Sequence, residues 1–263
     1  MLGCETKRGA CMAGSSRKPS GKLYIVRHGQ SAGNVARDVA EANGDELIDL
    51  NHRDADTPLS DLGWAQARAL GEWLAGLPED ARPDAILASP FVRAHQTAEV
   101  LAEALGFDPK RIEVDERLRE KEFGVLDRYT RHGIQSKFPE LAAQRGMVGK
   151  FYFRPPGGES WCDVILRLRS VVDGIRLTKP DCRVVVVGHQ VIVNCFRYLL
   201  EGMREEDILA VDREGDFPNC GYAEYDIDAG PPVQFALRHG RFVAPTLESI
   251  EVTSESDVPT GPR

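Results

Sequence analysis

Short apolar runs alternate with amphipathic stretches along most of the chain, which predicts strands followed by helices. Residues 23–26, 84–88, 111–114 and 183–187 read as strands. The last run is nearly uninterrupted valine, as expected for a parallel strand covered by helices on both faces. Apolar positions at helical spacing over 62–74 and 164–175 predict helices between the strands, and 221–227 with 233–238 predict a closing hairpin. The pattern indicates an α/β fold with a mostly parallel central sheet flanked by helices.

Polar residues ahead of the helical stretches predict where the helices begin. Ser60 is expected to cap one helix, and Ser160 with Asp163 three residues later matches a capping box. Ser89 and Pro90 are expected to be the cap and first-turn proline of a helix that runs to about residue 105.

The segment 118–159 interrupts this alternation of strands and helices, and it is too long for a simple connection. Basic and aromatic side chains are mixed throughout the segment, a combination that suits a phosphorylated organic ligand. We therefore interpret it as a partly helical lid inserted into a domain spanning residues 23–245. Residues 1–22 are expected to be a disordered leader or expression remnant, and the acidic tail 246–263 is expected to be unstructured.

Composition narrows the class of partner. The chain has 263 residues, and 41 acidic against 33 basic side chains give a formal charge of −8. Nucleic acids and anionic membranes attract net positive charge, and no apolar run reaches the roughly 18 residues of a membrane span, so neither partner is expected. The six cysteines form no Cys-x-x-Cys pair and no metal-binding spacing. Reduced thiols and a cytoplasmic setting are the default expectation.

Reactive or cationic side chains follow three of the predicted strands. Arg27 and His28 follow the first strand, Arg93 comes about one helical turn after the second, and His189 directly follows the fourth. Ligands of open α/β sheets bind at the carboxyl ends of the strands, so these groups are expected to converge there. Arginine forks and helix N-termini both attract phosphate oxygens. The sequence thus predicts a phosphoryl site at this edge of the sheet.

A histidine beside two permanent cations favours its neutral form, because protonation would add like charge. Neutral His28 could attack phosphorus and form a phosphohistidine. Arg27, Arg93 and His189 would then neutralise the oxygens of the transferred group. This chemistry calls for no metal and no cofactor.

The stretch LYIVRHGQSAGN carries a more specific signal. Its Arg-His-Gly at a strand end resembles the signature of the histidine phosphatase superfamily, the phosphoglycerate-mutase-like proteins. Four further blocks in the same order are similar to that family: TPLSDLGWAQA, ASPFVRAHQTAE, LREKEFG and VVVVGHQ. The resemblance implies that His28 is the phosphorylated nucleophile and that Arg27, Arg93 and His189 are phosphate ligands. It also implies that Asn34 is a polar contact and that Glu120 is the general acid and base.

Chemistry alone leaves two candidates for that acid, Glu120 and Glu122. One carboxyl group can protonate the leaving oxygen and later accept a proton from water, but spacing does not choose between the two. The acidic block of the family favours Glu120, and Glu122 is then expected to have a structural or ion-paired role.

Within the family, the acidic block EKEFGVLDRY and the GHQ turn both differ from those of cofactor-dependent mutases, which favours a phosphatase. FYFRPPGGESWCDVILRL and the His189-Gln190 pair resemble the phosphatase half of fructose-2,6-bisphosphatases. The chain is therefore expected to be a phosphoric monoester hydrolase of the histidine acid phosphatase type, acting on a small phosphorylated metabolite. The expected substrate contacts, besides the phosphate ligands, are Asn34, Gln190, Arg128, Tyr129, Tyr152 and Arg154.

Three other functions compete with a phosphatase. Mutase-type phosphoryl transfer stays open, and so does a non-catalytic phosphate-binding protein. A dinucleotide-binding oxidoreductase is rejected, because RHGQSAGN stands where Gly-x-Gly-x-x-Gly is required. A homodimer is compatible with the resemblance.

Overall fold

The computed structural model describes residues 21–228 and 234–239, and these residues build a six-stranded sheet. The strands are β1 (Gly21–Arg27), β2 (Ala85–Ala88), β3 (Glu113–Val114), β4 (Arg183–Gly188), β5 (Tyr222–Asp228) and β6 (Gln234–His239). Their order across the sheet is β3-β2-β4-β1-β5-β6. The first four strands run parallel, and β5 and β6 form the antiparallel hairpin at one edge. The mostly parallel sheet predicted from the sequence is confirmed.

Eight α-helices accompany the strands in the described part of the chain. They are α1 (Ala32–Asn43), α2 (Asp61–Ala75), α3 (Val92–Ala104), α4 (Arg131–Lys137), α5 (Pro139–Val148), α6 (Trp161–Thr178), α7 (Gln190–Leu200) and α8 (Glu205–Glu214). Among the residues described, no helix is long and apolar enough to cross a membrane.

The sheet separates two apolar cores, because successive strand residues point to opposite faces. On one face, Leu23 and Ile25 of β1 pack with the apolar sides of α6 and α7. On the other, Tyr24 and Val26 pack with α2 and α3. Burial on both faces leaves the carboxyl ends of β1, β2 and β4 as the place where polar groups from several strands can meet.

The structure differs from the sequence-based expectations in several places, and β3 covers Glu113–Val114 where residues 111–114 were expected. β1 begins at Gly21, so the last two residues of the expected leader belong to the sheet, while 1–20 and the expected tail lie outside the described residues. The cap positions of Ser60 and Ser160 are confirmed. The expected cap at Ser89 is wrong, because α3 begins at Val92 with Phe91 as its N-cap. Helix α8 was not predicted.

The lid is partly helical, as predicted, and carries a small core of its own. Leu126, Ile134 and Phe153 form this core, with four partly buried apolar residues around them. Ion pairs and hydrogen bonds attach the lid to the rest of the molecule, among them Lys150 to Asp212 of α8 at 2.5 Å. The middle of the lid is attached as well, since the Ile48 N–H donates to the Arg128 carbonyl oxygen at 2.8 Å and the Thr130 N–H donates to that of Glu46 at 3.1 Å.

Candidate active site

The four groups predicted to converge do so at the carboxyl edge of the parallel strands. Arg27 is the last residue of β1 and His28 follows it, His189 follows β4 as the N-cap of α7, and Arg93 lies in the first turn of α3. All four are buried, with at most 5% of any of them exposed. The rings of His28 and His189 lie edge to face, with centroids 5.1 Å apart.

Glycine at position 29 allows the loop after His28 to touch α2 directly. A Cβ atom on Gly29 would come within 2.5 Å of the carbonyl oxygen of Gly63, and one on Gly63 within 2.0 Å of that of Gln30. Only two glycines permit this approach of backbone to backbone. The loop is further fixed by the Gly29 N–H, which donates to Thr97 Oγ1 at 3.1 Å.

The hydrogen bonds of His28 define its reactive nitrogen. Nδ1 lies 2.6 Å from the carbonyl oxygen of Gly29, which can only accept, so Nδ1 carries the proton. Nε2 then has a lone pair, and it accepts from Arg93 Nε at 3.2 Å. Burial first, and then the charges of Arg93 and Arg27, hold the pKa of His28 well below its ordinary value. The neutral form predicted from the neighbouring cations is favoured even more strongly by desolvation.

Both arginines are oriented by main-chain oxygens. Arg93 donates to the carbonyl oxygen of Asp54 at 2.6 Å and to its carboxylate at 3.1 Å. Arg27 donates to the carbonyl oxygen of Phe217. These contacts fix the guanidinium planes before any ligand arrives, which lowers the ordering cost of binding an anion. Sequence reasoning missed Phe217, because a contact through the main chain leaves no residue-type signal. It also missed Asp54, whose ion pair with Arg93 joins residues 39 positions apart.

The side chain of Glu120 is buried, whereas that of Glu122 is exposed. Glu120 is 3% exposed, and its Oε1 accepts from the Lys121 N–H at 2.8 Å. Glu122 is exposed and lies 3.5 Å from Arg119 in an ion pair. The placement agrees with the expected ion-paired role of Glu122.

The structure gives Asn34 and Gln190 partners within the protein. Asn34 Oδ1 accepts from the Ser31 N–H at 2.9 Å in the capping box of α1, although the residue lies close to the His28 loop in sequence. Gln190 Oε1 accepts from the Phe217 N–H at 2.9 Å. Gln190 and Arg27 thus bind the two sides of the Phe217 backbone, and the predicted substrate contacts of Asn34 and Gln190 stay predictions.

A cleft opens between the lid and α1. Twelve residues line it, including the cations Arg37, Lys121, Arg128 and Arg145, the carboxylate Asp127 and the aromatic residues Phe123, Tyr129 and Phe153. The charge of Arg37 also contributes to lowering the pKa of His28. Burial lowers the pKa of Arg145 to about 10, still far above neutral pH, so it remains cationic.

The four predicted lid contacts divide into two pairs. Arg128 and Tyr129 line the cleft, and Arg128 donates to the carbonyl oxygen of His52. Tyr152 and Arg154 are absent from its lining. Arg154 Nε instead donates to Asp163 at 2.7 Å, and Glu205 raises the pKa of Tyr152, which is 54% exposed.

The described cysteines and the groups that could ligate a metal were also located. Cys162, Cys182, Cys195 and Cys220 are free thiols, while Cys4 and Cys11 lie outside the described part. No group of three or more His, Cys, Asp or Glu side chains within residues 21–228 and 234–239 could hold a metal ion.

Known proteins share both the sequence pattern and the fold. A probable phosphoglycerate mutase of Enterobacter sp. (strain 638) is 28% identical over 237 residues, covering 88% of this chain and 99% of that protein. A 6-phosphofructo-2-kinase/fructose-2,6-bisphosphatase of Caenorhabditis elegans is 28% identical over 66% of this chain but only 32% of its own length.

Solved phosphatase structures share the fold of this chain. The mycobacterial glucosyl-3-phosphoglycerate phosphatase in complex with VO3 is 27% identical, has a TM-score of 0.64, and covers 83% of this chain and 97% of its own. The same phosphatase has been solved with inorganic phosphate, at a TM-score of 0.65. The sequence profile of histidine phosphatase superfamily branch 1 matches residues 23–234. The chain belongs to the histidine phosphatase superfamily, branch 1.

Proposed function

We propose that this protein is a metal-independent phosphomonoesterase for a small phosphorylated metabolite, with a phosphohistidine intermediate on His28. The observation that carries the proposal is the state of His28: its Nδ1–H is held by Gly29, and its Nε2 lone pair lies beside Arg93. A neutral imidazole with one fixed lone pair is a competent nucleophile. The surrounding cations favour the phosphoryl group that it would attack.

In the first step His28 Nε2 forms a bond to phosphorus while the bond from phosphorus to the leaving oxygen breaks. The leaving alkoxide takes a proton from the carboxyl group of Glu120. Arg27, Arg93 and His189 stabilise the charge on the phosphoryl oxygens during this transfer. Because the arginines are already oriented by protein carbonyl oxygens, little reorganisation accompanies the step.

In the second step water attacks the phosphohistidine. The water gives one proton to the carboxylate of Glu120, a phosphorus–oxygen bond forms, and the bond from phosphorus to Nε2 breaks. Inorganic phosphate leaves, and both His28 and Glu120 return to their starting protonation states. One carboxyl group thus serves as acid and then as base.

The lid cleft supplies a place for the organic part of the substrate. It is continuous in sequence with the acid, because Lys121 lines it directly after Glu120. Its cations and aromatic side chains together suit a polar, phosphorylated organic molecule. Mutase-type transfer would use the same phosphohistidine but pass the group to a second organic molecule rather than to water.

The test is phosphate release by the native protein and by His28→Ala in the presence of EDTA. The panel holds an aryl phosphate, 3-phosphoglycerate, fructose-2,6-bisphosphate and other sugar phosphates. We expect turnover that EDTA leaves intact, and a loss on the order of 10⁴-fold or more in the variant, as when a catalytic nucleophile is removed. His132→Ala, which changes an exposed lid histidine, is the matched control and should retain turnover.

Three results would count against the proposal. Loss of turnover in EDTA would contradict the metal-free chemistry, and an active His28→Ala variant would contradict the nucleophile. Isomerised phosphoglycerate without released phosphate would favour a mutase. Phosphate binding without turnover on any panel member would favour the non-catalytic alternative.

A further inference from the structure

The two ring nitrogens of His189 have very different surroundings. Nε2 lies 2.8 Å from Ser89 Oγ. Nδ1 is buried and has no hydrogen-bond partner in the part of the chain that the structure describes. The ring itself is held by edge-to-face contacts with His28 and with Phe91, whose centroid is 5.2 Å away. The ring is therefore oriented, and the open question is which nitrogen carries its proton.

The hydroxyl group of Ser89 is buried and makes two hydrogen-bond contacts among the described residues. Ser89 is fully buried, and its Oγ accepts from the Phe91 N–H at 3.2 Å. Its other hydrogen-bond contact is His189 Nε2. Its backbone is fixed as well, since the Ser89 N–H donates to the Val187 carbonyl oxygen at 3.0 Å. The hydroxyl has one proton to donate, and among the described residues the acceptor within reach is His189 Nε2.

Comparing the two neutral tautomers of His189 gives a clear preference. If Nε2 carried the proton, it would donate to Ser89, the buried serine hydrogen would lack an acceptor, and the buried Nδ1 would hold a lone pair that repels an anion. If Nδ1 carries the proton, Ser89 donates to Nε2 while accepting from Phe91. Every group at Ser89 is then satisfied, and Nδ1–H becomes a donor for an anion. An unsatisfied buried polar group costs about 1–3 kcal/mol, which is enough to decide between tautomers.

We propose that Ser89 is a positioning residue that holds His189 as the Nδ1–H tautomer, so that Nδ1 donates to an oxygen of the bound phosphoryl group. The inference rests on the proposed function and adds a residue to it. Ser89 acts through His189 and does not itself touch the substrate. Its position one residue beyond β2, beside the end of β4, places its hydroxyl next to the histidine that follows β4.

The direct test is the tautomer of His189 in the substrate-free native protein, measured from long-range ¹H–¹⁵N correlations of the imidazole ring. His189→Gln assigns the signals by their disappearance. We expect Nδ1 to be the protonated nitrogen. A protonated Nε2 in the native protein would overturn the proposal, whatever the turnover experiments show. This measurement needs no Ser89 variant to fold.

Variants of Ser89 test the consequence for binding and catalysis. Ser89→Ala should shift His189 towards the Nε2–H tautomer, weaken inorganic phosphate binding and lower kcat/KM, each activity change being about tenfold for one lost donor. Ser89→Thr retains the hydroxyl and should recover the Nδ1–H tautomer and most of the phosphate affinity. Thr178→Val, which deletes a hydroxyl bonded within α6, is the control and should change none of these readouts.

A purely structural role for Ser89 predicts a different outcome. In that case Ser89→Ala would lower activity while His189 kept its native tautomer, and the proposal would be wrong. In the His189→Gln background, Ser89→Ala should add no further loss of phosphate affinity, because the group through which it acts is gone. An equal additional loss in that background would also contradict the proposal. Phosphate binding is read without turnover, so a failure of the proposed hydrolysis stays distinguishable.

Discussion

The phosphoryl pocket and the lid cleft are both rich in cations, but they hold them in different ways. In the pocket, Arg27 is the last residue of β1 and Arg93 lies in the first turn of α3, and both are buried. Main-chain oxygens of Phe217 and Asp54 accept hydrogen bonds from them. In the cleft, Arg128 lies on a turn of the lid with a φ of 65°, and Arg145 on a short helix. The pocket is built into the sheet, whereas the cleft belongs to an inserted segment.

The difference indicates which part of the substrate each region binds. Phosphoryl transfer needs donors fixed to within fractions of an ångström, which strand ends and helix starts provide. Recognition of the leaving group tolerates variation, and loops carried by a rigid scaffold are where such variation occurs. Changes in the pocket should therefore lower kcat, and changes in the cleft should act mainly on KM.

Replacement of Glu120, the proposed general acid and base, should have the largest effect on turnover among the variants that separate the two regions. Glu120→Gln keeps the shape of the side chain but removes the transferable proton. We expect kcat/KM for an alkyl phosphate to fall by about 10²–10⁴-fold, as measured by phosphate release. An aryl phosphate with an acidic leaving group should lose less, because its leaving oxygen needs less help from an acid.

Glu122→Gln is the matched control for this prediction, since it makes the same change two residues away on an exposed side chain. It should retain activity within a few-fold. If Glu122→Gln were the impaired variant and Glu120→Gln were active, the roles given to the two carboxylates would be reversed.

The buried histidines of the pocket also predict a pH dependence of stability. Burial first, and then Arg93, hold the pKa values of His28 and His189 well below the ordinary value of 6.5. Below that pH the unfolded chain binds protons that the folded protein excludes. The free energy of unfolding should therefore fall as the pH drops below 6.5, by up to about 1.4 kcal/mol per pH unit for each histidine.

Urea unfolding at a series of pH values, without phosphate, measures this slope. The double variant His28→Gln with His189→Gln should show a shallower decline over the same range, because neither side chain can be protonated. An identical slope in the double variant would show that other groups, such as the ion-paired carboxylates, account for the acid sensitivity.

The phosphoryl pocket was more predictable from sequence than the cleft, for a physical reason. His28 and His189 directly follow apolar strands, so the strand pattern alone fixes the edge of the sheet at which they lie. Arg154 and Tyr152 have the same chemistry as Arg128 and Tyr129, and composition does not say which pair lines a cleft. Their side chains are placed by tertiary partners such as Asp163.

Ser89 is a single side chain whose hydrogen-bond partner could not be predicted from the sequence. Its sequence context predicts a helix cap, yet its hydroxyl contacts His189, a hundred residues away along the chain. Hydrogen bonds of this range depend on strand order, which local propensity does not contain.

The smallest expected effect separates the two pairs of lid residues. Arg128→Gly removes the cleft guanidinium, and glycine adopts the positive φ at this position without strain, so a change in KM is not a consequence of backbone distortion. We expect KM for the preferred substrate to rise by about tenfold, equivalent to about 1.4 kcal/mol, with kcat nearly unchanged. Arg154→Ala removes an equally basic group that is paired with Asp163 outside the cleft, and should leave KM as it is.

A rise in KM with Arg154→Ala but not with Arg128→Gly would place the substrate on the other side of the lid. A fall in kcat with either variant would mean that the lid helps to build the phosphoryl pocket, and the division between the two regions would not hold.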